Sequence, residues 1–382
     1  MPEKPNFNAN HHSSPIVLIA PLDWGLGHAS RCIPVIQECL NAGFEVIIAA
    51  SGHQLDFLRG EFPNILCVKP PSYNVKYATK GWKLWLSILK QVPKILTSIN
   101  KENKWLLNFS KYKHLDLIIS DSRFGFSHPN IHSVFIGHQM AIRTGLGPLA
   151  DKIIRRINYH YINQFTECWI PDTAEKPGLA GELSHPQERP TVPVHYIGHL
   201  SRIKQQTAPV NTDLVIILSG PEPQRSIFEA IIIKQLKTWK GTAVMVRGLP
   251  GDSEIIMPAN EGIKILNHAG TAEMQTLIDG AAVILCRSGY SSIMDLIPIN
   301  KKCIMVPTPG QTEQVYLAAH LKNAGLCTVV LQEGFDLSDA VRQARAHVSP
   351  AFVHSRGDSS VRERLASFRP SAASGEIPSR CR

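Results

Sequence analysis

Short runs rich in Val and Ile alternate along this chain with stretches of helical spacing, and they do so twice over. PIVLIAPL, FEVIIAAS, NILCVKP, LDLIISD, SVFIGHQ and ECWIPD occupy the first half, and DLVIILSG, GTAVMVRG, IKILNHAG, AAVILCRSG, KKCIMVPTPG and CTVVLQEG the second. Short apolar runs of this kind suit strands buried on both faces, and strands spaced by helices build βαβ units around a parallel sheet. RCIPVIQECLNAG, stopping at Gly43, is one such helix; SIFEAIIIKQLKTW, TAEMQTLIDG and EQVYLAAHLKNAG are others. The polar segment Ser201 to Asn211 lies between the two series and reads as a linker. The sequence therefore predicts an α/β protein of two doubly wound domains, 15–200 and 212–348, facing across a cleft and joined by 201–211. A flexible start over 1–14 and a C-terminal segment, 349–382, ending in a small polar tail complete the expectation. Ligands of such sheets bind beyond the carboxyl ends of strands, so the loops after strands are where chemistry is expected.

Composition bears on partners. At about 150 residues per domain, 382 residues suit two or three domains, and 43% hydrophobic content supplies a sizeable core. The 40 Lys+Arg against 31 Asp+Glu leave a net charge of +9, which favours phosphates, nucleic acid or anionic lipid without choosing among them. None of the usual nucleic-acid modules is visible, so no nucleic-acid partner is expected. The 8 cysteines include no C-x-x-C pair. Cys32 and Cys39, on one predicted helix, read as buried thiols in a reducing compartment, and no zinc site is expected. The opening MPEKPNFNANHHSSP lacks the apolar core of a signal peptide, and no apolar run reaches about 18 residues. The expectation is a cytoplasmic protein that at most touches the inner face of the cell membrane.

An insert over 76–113 stands apart. It holds nine lysines and a single acid, Glu102, interleaved with Trp82, Trp85, Leu86, Ile88, Leu89, Ile95, Leu96, Ile99, Trp105 and Leu106 at three- and four-residue spacing broken at Pro93. A basic amphipathic helix with Trp and Leu suits the headgroup region of an anionic bilayer. A helix pair packed on the core with a solvated basic face satisfies the same pattern.

The loop APLDWGLGHASR follows the first strand. As a dinucleotide fingerprint it has Gly25 and Gly27 but Ser30 in place of the third glycine, and the second strand ends on Ala50 and Ser51 without the acid that binds a ribose. NAD is therefore set aside. As a strand-to-helix loop it still allows close backbone approach at Gly27, and it puts His28 at a helix start, as a general base or as a capping group. Asp121, ending LIISDSR, is a second strand-end candidate that can take a proton or orient the histidine, and His138 of IGHQM is a third or a packed core residue. In the second half, LSGPEPQRS offers Ser219 and Gly220 as donors and Arg225 as a phosphate partner or a solvated helix residue. ILCRSGYSSIMDLIP is more specific. A strand ends at Cys286, a turn with Ser288 and Gly289 follows, and Ser291 and Ser292 open a helix carrying Asp295, placed to accept from a ribose diol or to complement the helix dipole. VPTPGQTEQ brings Glu313 and Gln314 to another helix start, to bind sugar hydroxyls or to cap.

Taken in order, Gly25-Leu26-Gly27-His28, then Arg287-Ser288-Gly289-Tyr290-Ser291-Ser292 with Asp295, then Pro307 and Thr312-Glu313-Gln314, resemble the GT-B glycosyltransferases. Within them the chain is similar to the inverting family of the lipid-linked peptidoglycan N-acetylglucosaminyltransferase and the diacylglycerol galactosyltransferases. The resemblance runs from about residue 15 to about residue 345. It implies two Rossmann-like domains, an acceptor site in the first, and a nucleotide sugar, usually UDP-linked, in the second. By matching position, Gly289, Ser291 and Ser292 would surround the diphosphate with Arg287 just before the turn. Asp295 would hold the ribose, Gln314 the donor sugar, and the backbone at His268 and Ala269 the uracil, with His28 at the reaction centre. The implied reaction is an inverting hexosyl transfer to an acceptor, lipid-linked in the family's manner or soluble, at a cell envelope. No Asp-x-Asp occurs, so neither metal nor cofactor is called for. The chain departs from the family in having Asp295 where Glu is usual, Glu313 before Gln314, and Leu317 where an Asn follows. GHASRCIPVIQECLNAGFEV also resembles the start of UDP-sugar hydrolases of bacterial sialic-acid-like pathways, which share the fold and use water as acceptor. A nucleotide-sugar-binding protein without catalysis is the third reading.

Overall fold

The computed structural model describes residues 14–72, 84–251, 256, 260–352 and 360–368. The tail from 369 onward, most of the flexible start and the first residues of the basic insert lie outside them.

In the first half, β1 (Ile16–Pro21), α1 (Leu26–Asn41), β2 (Glu45–Ala49), α2 (Gly52–Glu61), β3 (Leu66–Val68), α3 (Leu84–Tyr112), β4 (Leu117–Asp121), β5 (His132–Ile136), α4 (Pro148–Ile162), β6 (Glu167–Ile170) and β7 (Val194–Tyr196) follow one another. The second half runs β8 (Thr212–Ile217), α5 (Gln224–Leu236), β9 (Ala243–Val246), β10 (Ile263–Leu266), α6 (Thr271–Gly280), β11 (Ala281–Cys286), α7 (Tyr290–Leu296), β12 (Cys303–Met305), α8 (Thr312–Asn323), β13 (Thr328–Val329), α9 (Leu337–Ala346) and α10 (Val361–Ser367). Two sheets result, ordered β3-β2-β1-β4-β5-β6-β7 and β10-β9-β8-β11-β12-β13. Every pairing in them is parallel. Each predicted apolar run is a strand; β7, three residues of Val-His-Tyr, was not foreseen.

The strands are apolar throughout because both faces are covered. In β1, Val17 and Ile19 join one core cluster while Leu18 and Ala20 join another, against Leu106 of α3. In β8, Val215 faces the first of these clusters, which both halves share, while Leu214 and Ile216 face Phe228 and Ile232 of α5. Helix α1 stops where its sequence says it should. Gly43 takes φ 84°, and Gly43 N–H and Phe44 N–H donate to the carbonyls of Leu40 and Cys39 at 3.0 Å each. Those two bonds satisfy carbonyls the helix end leaves open, and glycine is the residue that takes this φ without strain.

Two elements depart from expectation. The basic insert does not break at Pro93, since α3 continues through it to Tyr112. Its later half takes the core-packed reading: Ile99 and Leu106 are buried, and the insert's one acid, Glu102, is fully buried and accepts from Arg123 Nε at 2.7 Å. Gly125 lets this helix close in, because a Cβ there would lie 2.4 Å from Glu102 Cβ. The second departure is α10, which leaves the second sheet and returns to the first half. Arg362 pairs with Glu38 at 3.0 Å, Arg364 pairs with Glu167, and Phe368 lies against Phe44.

Candidate active site

Each sheet reverses its strand order once, between β1 and β4 and between β8 and β11. The loops leaving these four strands splay apart and open a crevice. The two crevices face each other across one cavity of about 520 Å³. Of the residues singled out in the sequence, Gly27, His28, Ser219, Gly220, His268, Gly289, Ser291, Ser292, Asp295, Glu313 and Gln314 line it.

His28 reaches the cavity from the first turn of α1. Gly25 precedes that helix at φ 86°, with no side-chain cap. Behind His28 stands Asp121, fully buried at the end of β4. His28 Nδ1 lies 3.1 Å from Asp121 Oδ1 and 3.0 Å from Arg31 Nη2. One ring nitrogen can donate to the carboxylate or accept from the guanidinium, not both. Arg31 also donates to Asp121 Oδ2 through Nε at 2.7 Å, and its Nη2 contacts Oδ1. Burial acts to raise the Asp121 carboxyl, but Arg31 and then His28 outweigh it and hold the group well below the usual carboxylate range. Burial acts to lower Arg31, and Asp121 more than offsets it.

Arg31 has a third partner. Its Nη1 lies 3.1 Å from His138 Nδ1, and a guanidinium has only donors. His138 Nδ1 is therefore the acceptor, which leaves the proton on Nε2, 2.7 Å from Glu313 Oε1 on the other half of the chain. Burial holds His138 below the usual imidazole range, in keeping with this neutral form. The ring stacks on Tyr290 at 4.2 Å, and the Tyr290 hydroxyl donates to Pro171 O at 2.7 Å. Ser291 Oγ donates to Gly27 O at 2.9 Å, and a Cβ on Gly27 would sit 3.0 Å from that oxygen. The two glycine loops thus meet at van der Waals range.

Sequence reasoning gave Arg31 no role. The signal was its place three residues after His28, on the same helix face.

Several predicted residues stand behind the cavity wall instead of on it. Arg225 was expected to face a phosphate. It is buried and held by Glu222 at 2.6 Å and by Glu229, one turn on, at 3.2 Å. Arg287 turns into the core over the Phe228 ring, 4.1 Å from its centroid, and donates to Gln332 Oε1 at 2.6 Å. Burial brings its guanidinium down to about 10. Ser288 is buried and donates to Gln314 O at 2.9 Å, and Ala269 is buried too. These side chains shape the loops; they do not reach into the cavity. Asp295 does line the cavity, where its Oδ1 accepts from Ser201 Oγ at 2.6 Å and burial pushes its carboxyl up. Gln314 Oε1 accepts from Thr308 N–H at 2.8 Å, which fixes the amide with its NH2 as the group left to offer.

Known proteins resemble this chain in two ways. Residues 259–360 match the glycosyltransferase family 28 C-terminal domain. Over 135 residues, 35% of this chain, it is 26% identical to UDP-N-acetylglucosamine--N-acetylmuramyl-(pentapeptide) pyrophosphoryl-undecaprenol N-acetylglucosamine transferase of a Sulfurihydrogenibium species. That match spans 37% of the relative's length. Among solved structures, the calicheamicin glycosyltransferase superimposes with a TM-score of 0.60 at 12% identity, covering 93% of each chain. The glycosyltransferase SnogD from Streptomyces nogalater gives 0.55 at 13% identity, over 93% of this chain and 98% of its own. Spinosyn rhamnosyltransferase SpnG, complexed with thymidine diphosphate, gives 0.54 at 14% identity, over 87% of this chain and 90% of its own. The chain thus has the GT-B glycosyltransferase fold, and its second half carries a glycosyltransferase family 28 C-terminal domain.

Proposed function

We propose that the chain transfers a hexosyl group, with inversion, from a nucleotide sugar to an acceptor hydroxyl. Family resemblance supports a UDP-linked donor and a lipid-borne acceptor, and the absence of Asp-x-Asp from the sequence argues for a metal-independent reaction. The observation that carries this reading is His28 in the cavity with its Nδ1 against a buried Asp121 that Arg31 keeps ionised. With Nδ1–H donated to Asp121, the Nε2 lone pair is the base. It takes the acceptor proton as the acceptor oxygen bonds to the anomeric carbon. The bond from that carbon to the diphosphate breaks on the opposite face, and its electron pair stays with the leaving oxygen. The growing charge meets backbone N–H groups of the loops at Ser219–Gly220 and Gly289, and the Ser292 hydroxyl. Asp295 and the backbone at His268 are the proposed nucleoside contacts, and Gln314 the sugar contact.

Replacing His28 by Ala should lower nucleotide-sugar turnover by about 10²–10⁴ while UDP still raises the melting temperature as in wild type. UDP release from a panel of UDP-sugars measures the first and a thermal-shift titration the second. Turnover near wild type would remove His28 as the base. Sugar release at full rate without acceptor would favour the hydrolase, which the GHASRC segment also resembles and which the same dyad would serve by activating water. UDP binding with no turnover would leave a binding protein.

A further inference from the structure

His28 Nδ1 faces two partners at nearly one distance, Asp121 Oδ1 at 3.1 Å and Arg31 Nη2 at 3.0 Å. They call for opposite forms of the ring. A proton on Nδ1 is donated to the carboxylate and leaves a lone pair on Nε2. A lone pair on Nδ1 accepts from the guanidinium and puts the proton on Nε2. Only the first form is a base toward the cavity. The distances do not choose between the two, so the choice falls to how Arg31 is held.

The guanidinium carries its donors in one rigid plane. Nε and Nη2 grip the two oxygens of Asp121, and Nη2 also has Ser122 Oγ at 3.3 Å as an alternative to His28. The far nitrogen, Nη1, is fixed by His138 Nδ1 at 3.1 Å. His138 belongs to the first half but is gripped from the second. Glu313 Oε1, in the first turn of α8, takes its Nε2–H at 2.7 Å, and the Tyr290 ring lies against it at 4.2 Å and 13°. The imidazole cannot turn without losing a hydrogen bond to a carboxylate and a ring stack. Its Nδ1 lone pair therefore stays aimed at Nη1, which pins the guanidinium plane where Nη2 remains on Asp121. The proposed reaction gives neither His138 nor Glu313 a part.

We infer that His138 and Glu313 are positioning residues for the base: the second half, acting through them on Arg31, holds His28 with its proton on Nδ1. Without His138 the guanidinium pivots on its Asp121 fork, and Nη2 is free to donate to His28 Nδ1 and turn the ring into the form that cannot take a proton. A bridge that only joined the halves would leave His28 indifferent to what stands at position 138. The consequence for catalysis rests on the proposed reaction, but the form of the ring is measured without turnover.

The full chain is labelled with nitrogen-15 in its 16 histidines, and long-range proton–nitrogen correlation reads which ring nitrogen carries the proton. The His28 signals are those lost in His28→Ala. In the unmodified chain His28 should be protonated on Nδ1 and His138 on Nε2. His138→Leu should shift the His28 ratio toward Nε2–H by about tenfold, the change one hydrogen bond to a charged group makes, and lower kcat by about the same factor. His138→Asn should hold the ratio, because its amide oxygen accepts from Arg31 and its amide N–H donates to Glu313. Glu313→Gln should hold it too, because its carbonyl still accepts from His138. A cooperative melting transition shows that each variant folds. If His138→Leu does not fold, Glu313→Leu replaces it: His138 loses its anchor there, and the ratio should move in the same direction. A wild-type His28 protonated on Nε2, an unmoved ratio in the folded Leu variant, or His138→Asn behaving like His138→Leu overturns the inference. An unmoved ratio beside turnover lost in His28→Ala sinks this inference and leaves the proposed reaction. A shifted ratio beside full turnover in His28→Ala does the reverse.

Discussion

The two sheets reverse at equivalent places, but the loops there are furnished in opposite ways. At β1 and β4 the first half gathers ionisable side chains, His28, Asp121 and Arg31, whose polar atoms lie within 3.1 Å of one another. At β8 and β11 the second half shows the cavity Ser219, Gly220, Gly289 and Ser292, while the arginines of those same loops, Arg225 and Arg287, are pulled behind the wall. The contrast divides the labour. Under the proposed reaction, the first crevice would hold and move a proton, and the second would offer backbone and small hydroxyls to an anion. A glycine loop therefore does not by itself announce a phosphate; what stands behind it decides.

The strongest way to break this contrast is at Arg31. It is 2% exposed and holds Asp121 through two nitrogens. Arg31→Met removes the guanidinium from a buried carboxylate, which should cost about 3–5 kcal/mol in urea unfolding. Arg31→Lys keeps the charge and loses the fork, so it should restore only part of that. A cost below about 1 kcal/mol for Arg31→Met would show that Asp121 is held by something else.

Much of this division was legible and part was not, for physical reasons. The strands could be read because burial on both faces makes them uniformly apolar. β7 could not, because three residues carry no period. His28 was legible from its place after a strand. Arg31 was not, because the spacing from His28 does not disclose Asp121 and His138, its partners 90 and 107 residues away. The inward turn of Arg225 had a legible cue in Glu229 at i+4, but the capture is completed by Arg247, whose Nε also binds Glu229 at 2.5 Å. The return of α10 to the first half has no local signature, because its capping box of Ser360 and Glu363 fixes where a helix starts, not where it packs.

Gly289 tests the anion-binding crevice. Its φ is −75°, a value open to any residue, and a Cβ there meets nothing within 4 Å. Gly289→Ala should therefore leave the melting temperature almost unchanged. If the loop wraps a diphosphate, the added methyl intrudes on the ligand and should weaken UDP binding by about tenfold. Unchanged affinity by calorimetry would move the diphosphate away from this loop.

The smallest effect concerns a side-chain contact between the two crevices. His138 is 7% exposed, accepts from Arg31 and donates to Glu313, with His28 and the Tyr290 ring close by. Its folded-state value lies below the ordinary 6.5, so the unfolded chain binds the extra proton first as pH falls. Its share of the stability is complete above pH 6.5 and is lost on the way down through the folded-state value, by at most about 1.4 kcal/mol per pH unit. Glu313 is also held below its ordinary 4.5, so its own loss begins only near that pH. Between the two values the His138 contribution stands apart. Other histidines titrate in this window, so the informative quantity is the difference in slope between wild type and His138→Asn. A shallower slope in the variant supports a neutral histidine bridging the halves. Equal slopes would mean that His138 takes up its proton as readily in the folded protein as in the unfolded chain, which a ring accepting from Arg31 does not allow.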